Sequence, residues 1–131
     1  YNLAKEQSSA NPVFYAQYAH ARCASLLNLG SDIALDEKCS LLNSEIESSI
    51  MKNLADFGSQ IEASARERAP YKMALYIHNL AGLVHEYYAS TRIIDRENVT
   101  LTGGRLALIK ACEITLSNAL SLLGVSAPSK M

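Results

Sequence analysis

Met73, Ile77, Leu80, Val84 and Tyr87 recur every three or four residues through "YKMALYIHNLAGLVHEYYASTRII". An apolar period near 3.6 sustained over that length commits the segment to an amphipathic helix and leaves its stripe in need of a covering layer.

The flanking segments supply the partners. Asn11 is a good N-cap and Pro12 a good first helical residue, since the missing N–H would be unpaired there anyway, so a helix is expected from about Pro12 to Leu29, ended by Gly30. Residues 31–43 read as a loop or an irregular short helix. In "NSEIESSIMKNLADFG", Ile46, Ile50 and Leu54 fall at i, i+4 and i+8, predicting a second helix closed by Gly58. A third, shorter helix is expected to start after Ser59 and to stop before Pro70, because the residue preceding proline disfavours the α region. After the loop "DRENVTLTGG", a last helix is expected from about Arg105 to Leu123, with Lys110, Glu113, Ser117 and Ser121 on its polar side, giving way at Gly124 to the tail "VSAPSKM". No strand-like alternation appears, and the expected fold is all-α, a bundle of four or five helices.

With 131 residues, 49% of them apolar and 19% charged, the chain fits one domain with a real core. Its three cysteines, Cys23, Cys39 and Cys112, are far apart and form no CxxC, so neither a disulfide framework nor a zinc site is indicated and a reducing compartment is the simplest reading. No apolar run approaches the roughly 20 residues of a membrane span, and "YNLAKEQSSA" lacks the features of a signal peptide, so a cytoplasmic location is expected. The net charge of −1 argues against a general nucleic-acid binder. Its distribution is uneven: residues 1–65 carry 4 basic against 8 acidic side chains, residues 66–131 carry 8 against 5. A local basic face is expected, and local potential matters more than the total.

The first helix, "NPVFYAQYAHARCASLL", is unusual in its aromatics. At 100° per residue, Ala16, Ala19, Cys23, Leu26 and Leu27 form a packing face, while Phe14, Gln17, Tyr18, Ala21 and Ser25 fall roughly opposite, with Tyr15 and Arg22 at one border. Large rings left off the core beside a cation suit a surface that stacks unpaired bases and holds their phosphates. They equally suit a second layer of helix contacts, in which Phe14 and Tyr18 pack under the acidic segment that follows. On the long helix, His78, His85 and Arg92 are spaced i, i+7, i+14, with Tyr88 beside them, so that Tyr88 and Arg92 form a possible second stacking and phosphate-contact site.

Catalytic chemistry is not visible. Histidines seven apart lie two turns from each other and no cysteine or carboxylate pair completes a metal site. His20 has no nucleophile motif beside it and reads as a hydrogen-bonded helix histidine. There is no Walker loop and no GxGxxG after a strand, and Gly103-Gly104 reads as a helix-entry loop rather than a phosphate cradle.

Three stretches carry a resemblance. "NPVFYAQYAHARCASLL" is similar to the start of the anticodon-binding domain of arginyl-tRNA synthetases, the helical DALR type, in which a QYAHAR-like sequence is a specific marker. "PYKMALYIHNLAGLVHEYYASTRII" resembles that family's helix with a Pro-x-Lys start and LAGxxHxxY. "RLALIKACEITLSNALSLLGVSAPSKM" resembles its closing leucine-rich helix and LLGxxxPxxM ending, which would make Met131 the native C-terminus. The matches cover more than half of the chain, in order.

The resemblance implies a class I synthetase anticodon-binding bundle at residues 11–131, preceded at 1–10 by a connecting segment from a catalytic domain that this chain lacks. The HIGH-like and KMSKS-like motifs of that domain are absent here. The chain would be a fragment of arginine–tRNA ligase without catalytic residues or a cofactor of its own, ATP and Mg²⁺ being used by the parent enzyme's catalytic domain. Its expected partners are the anticodon stem-loop of arginine tRNA and its own catalytic domain, with no membrane and no DNA. Every arginine anticodon has a central cytosine, so that base is the one to be read. By resemblance, Tyr18 and the tyrosines of "HEYYASTR" stand at the anticodon with Met131; helical phase selects Tyr88, because Tyr87 points to the core. Phe14 belongs to the same surface, Gln17 is a candidate for the base edge, and Arg22 and Arg92 are candidates for phosphates. The acidic stretch 30–65, with 7 acidic against 2 basic residues, should face away from the tRNA. The competing readings are the equivalent domain of another synthetase, such as the cysteinyl enzyme or the glycyl β subunit, and a helical protein-interaction module whose aromatics dock a partner helix.

Overall fold

The structure, a computed structural model, describes residues 12–36 and 41–131. Asn11, the segment 1–10 and Cys39 lie outside them. Five helices and no strand are found among the described residues: α1 Pro12–Leu29, α2 Glu45–Ala55, α3 Phe57–Arg66, α4 Pro70–Ser90 and α5 Val99–Leu122. None is long and apolar enough to cross a membrane.

The stripe on α4 is the centre of the molecule. Met73, Ile77, Leu80, Val84 and Tyr87 are all buried, and α1, α2, α3 and α5 each pack against this helix. On one side, Ala16, Ala19, Cys23 and Leu26 of α1 are buried with α4 and α5, small side chains letting the helices approach closely; Leu27 is half-buried at the edge. α2 and α3 form a second layer against α4, where Phe57 stacks on Tyr76 at 5.5 Å and the Tyr76 hydroxyl donates to the Asn53 carbonyl at 2.8 Å. α2 and α3, of which α2 carries a net negative charge and α3 none, thus lie in the layer packed on α4. Cys23 and Cys112 are both buried and unbonded, and burial pushes the Cys112 thiol up to about 12.

Glu47 ties the two layers together. Its carboxylate is buried and accepts from the Ser44 N–H at 3.0 Å, half of a capping box at the start of α2, and from the Tyr87 hydroxyl at 2.6 Å, with Arg105 of α5 3.6 Å away. The S-x-x-E spacing at Ser44–Glu47 signals the cap in the sequence. That the same carboxylate also reaches α4 and α5 is visible only in three dimensions.

Two helix boundaries differ from expectation. Gly58 does not close α2; the break falls at Asp56, which ends α2 and begins α3 in right-handed geometry, leaving Gly58 inside the first turn of α3. The last helix starts at Val99, six residues before Arg105. Asn98 caps it through Oδ1, accepting from the Leu101 N–H at 3.3 Å, while Thr102 Oγ1 donates to the Asp95 carbonyl at 2.8 Å and accepts from the Asp95 N–H at 2.9 Å. Gly103 and Gly104 are therefore helix interior, and both are buried. Glycine is a poor helix former in isolation, by about 1 kcal/mol, but here tertiary contact requires it: a Cβ on Gly103 would lie 2.4 Å from the Ala34 carbonyl oxygen, and the Asp36 N–H donates to the Gly103 carbonyl at 3.1 Å. The segment after α1 is laid directly on the backbone of α5.

The end of α5 turns the chain back. Gly124, at φ +75°, adopts the left-handed conformation, its N–H bonds to the Ser121 carbonyl at 2.9 Å, and the Val125 N–H bonds to the Leu120 carbonyl at 2.9 Å. This pair of bonds is a Schellman closure. It sends residues 125–131 across α1.

Candidate nucleic-acid interface

The returning tail and the two aromatic helices meet in one groove. The Gln17 amide donates to the Ser126 carbonyl at 2.9 Å and His20 Nδ1 lies 2.9 Å from the Pro128 carbonyl. A carbonyl can only accept, so Nδ1 of His20 carries the proton. Held at these two points along α1, the tail places Ser129, Lys130 and Met131 opposite Tyr18, Arg22 and Tyr88, around a groove of about 520 Å³ floored by Ala21, Ser25 and Leu26. Tyr18, Tyr88 and Met131 remain 37%, 45% and 50% exposed, whereas Tyr87 is fully buried on Glu47. Helical phase selected the right tyrosine for the surface.

Arg22 sits between the rings. Its guanidinium carbon is 4.9 Å from the Tyr18 ring centroid and 4.2 Å from that of Tyr88, both within cation–π range. Its Nη1 donates to His85 Nδ1 at 3.1 Å. On the far side, His85 Nε2 faces the Tyr15 carbonyl at 3.3 Å, and its ring packs at a tilt against Tyr15 at 4.5 Å and Tyr18 at 5.7 Å between centroids. The carbonyl accepts and the guanidinium donates, which fixes His85 as the neutral tautomer protonated on Nε2. Burial holds its pKa below the ordinary histidine value, the Tyr15 carbonyl opposes that, and Arg22 reinforces it.

The residues singled out in the sequence do not all arrive here. Tyr18, Arg22, Tyr88 and Met131 converge on the groove. Phe14 is half-buried, 6.3 Å from Tyr18, and lines an adjoining apolar hollow of about 250 Å³ with Tyr15 and His85. Gln17 is engaged with the tail and is not among the groove's lining residues. Arg92 is separated from Tyr88 because α4 ends at Ser90, so the i, i+7, i+14 stripe stops short of it. Its carbonyl accepts from Arg105 at 2.7 Å, and it lines a different, polar groove with Glu47, Asn98 and Arg105. Tyr88 and Arg92 therefore form no joint site; the cation paired with Tyr88 is Arg22. Sequence reasoning missed Lys130 and Ser129, which a Gly124 turn directed back over α1 would have signalled, and the part played by His85.

The helical bundle gathers two exposed tyrosines and a positioned arginine around one groove, and comparison with known proteins gives the family. The chain belongs to the DALR anticodon-binding domain family, whose model matches residues 16–131. Within that family it is homologous to arginine–tRNA ligases: it is 45% identical over 134 residues to the ligase of Listeria monocytogenes serotype 4a, a match covering 99% of this chain and 24% of the ligase. The Bacillus subtilis ligase is 42% identical over 134 residues, again 99% of this chain and 24% of that protein. The chain thus spans about a quarter of the length of these relatives. The arginyl-tRNA synthetase of Thermus thermophilus matches in structure with a TM-score of 0.82 and 29% identity over 100% of this chain and 23% of that one.

Proposed function

We propose that this chain is the tRNA-binding part of an arginine–tRNA ligase and that the groove between Tyr18, Tyr88 and Met131 receives the central cytosine of the arginine anticodon. The observation that carries the reading is the convergence of two half-exposed tyrosines, an arginine between them and Met131 on one groove. An unpaired pyrimidine offers a face to stack on a tyrosine and an edge for hydrogen bonds, while its phosphates meet Arg22 and Lys130. Gln17 acts by holding the tail, and Phe14 by backing Tyr18. Arginine activation with ATP and Mg²⁺ belongs to a catalytic domain outside these residues.

The test is a low-salt anisotropy titration of the chain against two anticodon stem-loops that differ only in the central base, cytosine or guanine. Tighter binding to cytosine, weakened by Tyr18→Ala by about 1–3 kcal/mol at unchanged helicity, is the expected result. Equal affinity for both bases would reduce the groove to an electrostatic docking surface, and no binding to either would remove it as an anticodon reader.

A further inference from the structure

We infer that His85 is a positioning residue for this groove: by accepting a hydrogen bond from Arg22 it clamps the guanidinium between Tyr18 and Tyr88 in the orientation that meets RNA. The inference rests on the anticodon-groove reading above, but its geometry stands apart from it. His85 is fixed on three sides, by the Tyr15 ring, the Tyr18 ring and the Tyr15 carbonyl, and this leaves Nδ1 as an acceptor aimed at Arg22. An arginine side chain has many rotamers and loses them only where something fixes it. Here the two ring faces fix the plane of the guanidinium, and the single acceptor fixes its rotation within that plane. One of its five N–H donors is committed to His85 while the residue also lines the groove.

The clamp depends on His85 being neutral. Protonation would put an N–H on Nδ1, facing a donor, and a second positive charge 3.1 Å from the first. The groups that face His85 are Tyr15, Tyr18 and Arg22 from α1; among these Arg22 alone is charged, and no described carboxylate offsets it. Acidification therefore releases Arg22.

The experiment has a readout that needs no RNA. In the free chain, the Arg22 side-chain NMR signals should be shielded by the two tyrosine faces at pH 7.5. His85→Ala should remove the shielding and weaken stem-loop binding about tenfold, the loss expected for one hydrogen bond to a charged group. His85→Asn, whose Oδ1 takes the place of Nδ1, should restore both. As the pH falls through the titration of His85, followed by its own ring protons, the wild-type shielding should disappear while that of His85→Asn persists; this arm decides the question if His85→Ala loses helicity. Unchanged Arg22 signals in His85→Ala, no rescue by Asn, or wild-type shielding that survives protonation would each overturn the inference. If Arg22 responds as expected but the wild-type chain binds neither stem-loop, the clamp stands and the anticodon reading fails.

Discussion

Replacing Gly124 by alanine tests the turn that carries the tail to the groove. A Cβ at this position would meet nothing within 4 Å, so the substitution adds no clash and its cost is that of the backbone alone. At φ +75° an L residue costs about 1–2 kcal/mol, of which Ala recovers about 0.4–1 kcal/mol by restricting the unfolded chain. The expected net loss is about 1 kcal/mol. Gly58 is the control, because its surroundings are equally open and its backbone is helical without a left-handed φ. Gly58→Ala should therefore stabilise by about 0.5–1 kcal/mol. Urea denaturation reads the two global values. Amide exchange at Val125, whose N–H bonds to Leu120, reads the turn itself, and protection there should fall roughly fivefold for 1 kcal/mol. If both substitutions shift stability in the same direction, or if Gly124→Ala leaves Val125 exchange unchanged, the left-handed turn is not what anchors the tail.

Gly103→Ala should be much worse than either, since its Cβ would press on the Ala34 carbonyl, a backbone atom with little room to yield; a loss of about 1–3 kcal/mol is expected, and a melt within 0.5 kcal/mol of wild type would refute the close approach. Tyr87→Phe should cost about 1.5–3 kcal/mol at neutral pH by removing a donor from the buried Glu47 carboxylate. Burial alone would raise the Glu47 pKa, but the Tyr87 hydroxyl, Ser44 and Arg105 outweigh it and hold the carboxyl below its ordinary value. A lowered folded-state pKa gives stability that is present above the unfolded value and lost as pH falls through the folded one. Acid melts of wild type should weaken as pH falls below about 4.5 from this group, and Tyr87→Phe, already weaker at neutral pH, should lose less on acidification, so that the two converge at low pH. Superimposable pH profiles would contradict that role.

How legible was this in the sequence? The α4 stripe and the small-residue face of α1 were readable because both helices bury one continuous face, and a 3.6-residue period survives any arrangement of neighbours. Tyr88 was distinguishable from Tyr87 for the same reason. The boundaries that failed, at Gly58 and Gly103–Gly104, are glycines whose meaning lies outside their own helix: one sits in the open just after a break that Asp56 makes, the other lies under the backbone of Ala34–Asp36, remote in sequence. Arg92 was misplaced because phase was carried two residues beyond the end of α4. The groove itself was only half legible. Tyr18 and Arg22 follow from the α1 wheel, but the wall opposite them is a tail whose path depends on one positive φ and two bonds to side chains of α1.

Those two bonds join residues 109 and 108 positions apart along the chain. Closing so long a loop costs only slightly more than closing one half its length, but the tail is held by these two bonds and by the partly buried Val125 and Ala127, and segments with so few contacts open first under mild destabilisation. The groove proposed to receive RNA is thus expected to form last and to open first. A population that still shows full helicity can have lost it, so that, on the proposed function, RNA affinity should be a more sensitive measure of native structure in this chain than circular dichroism.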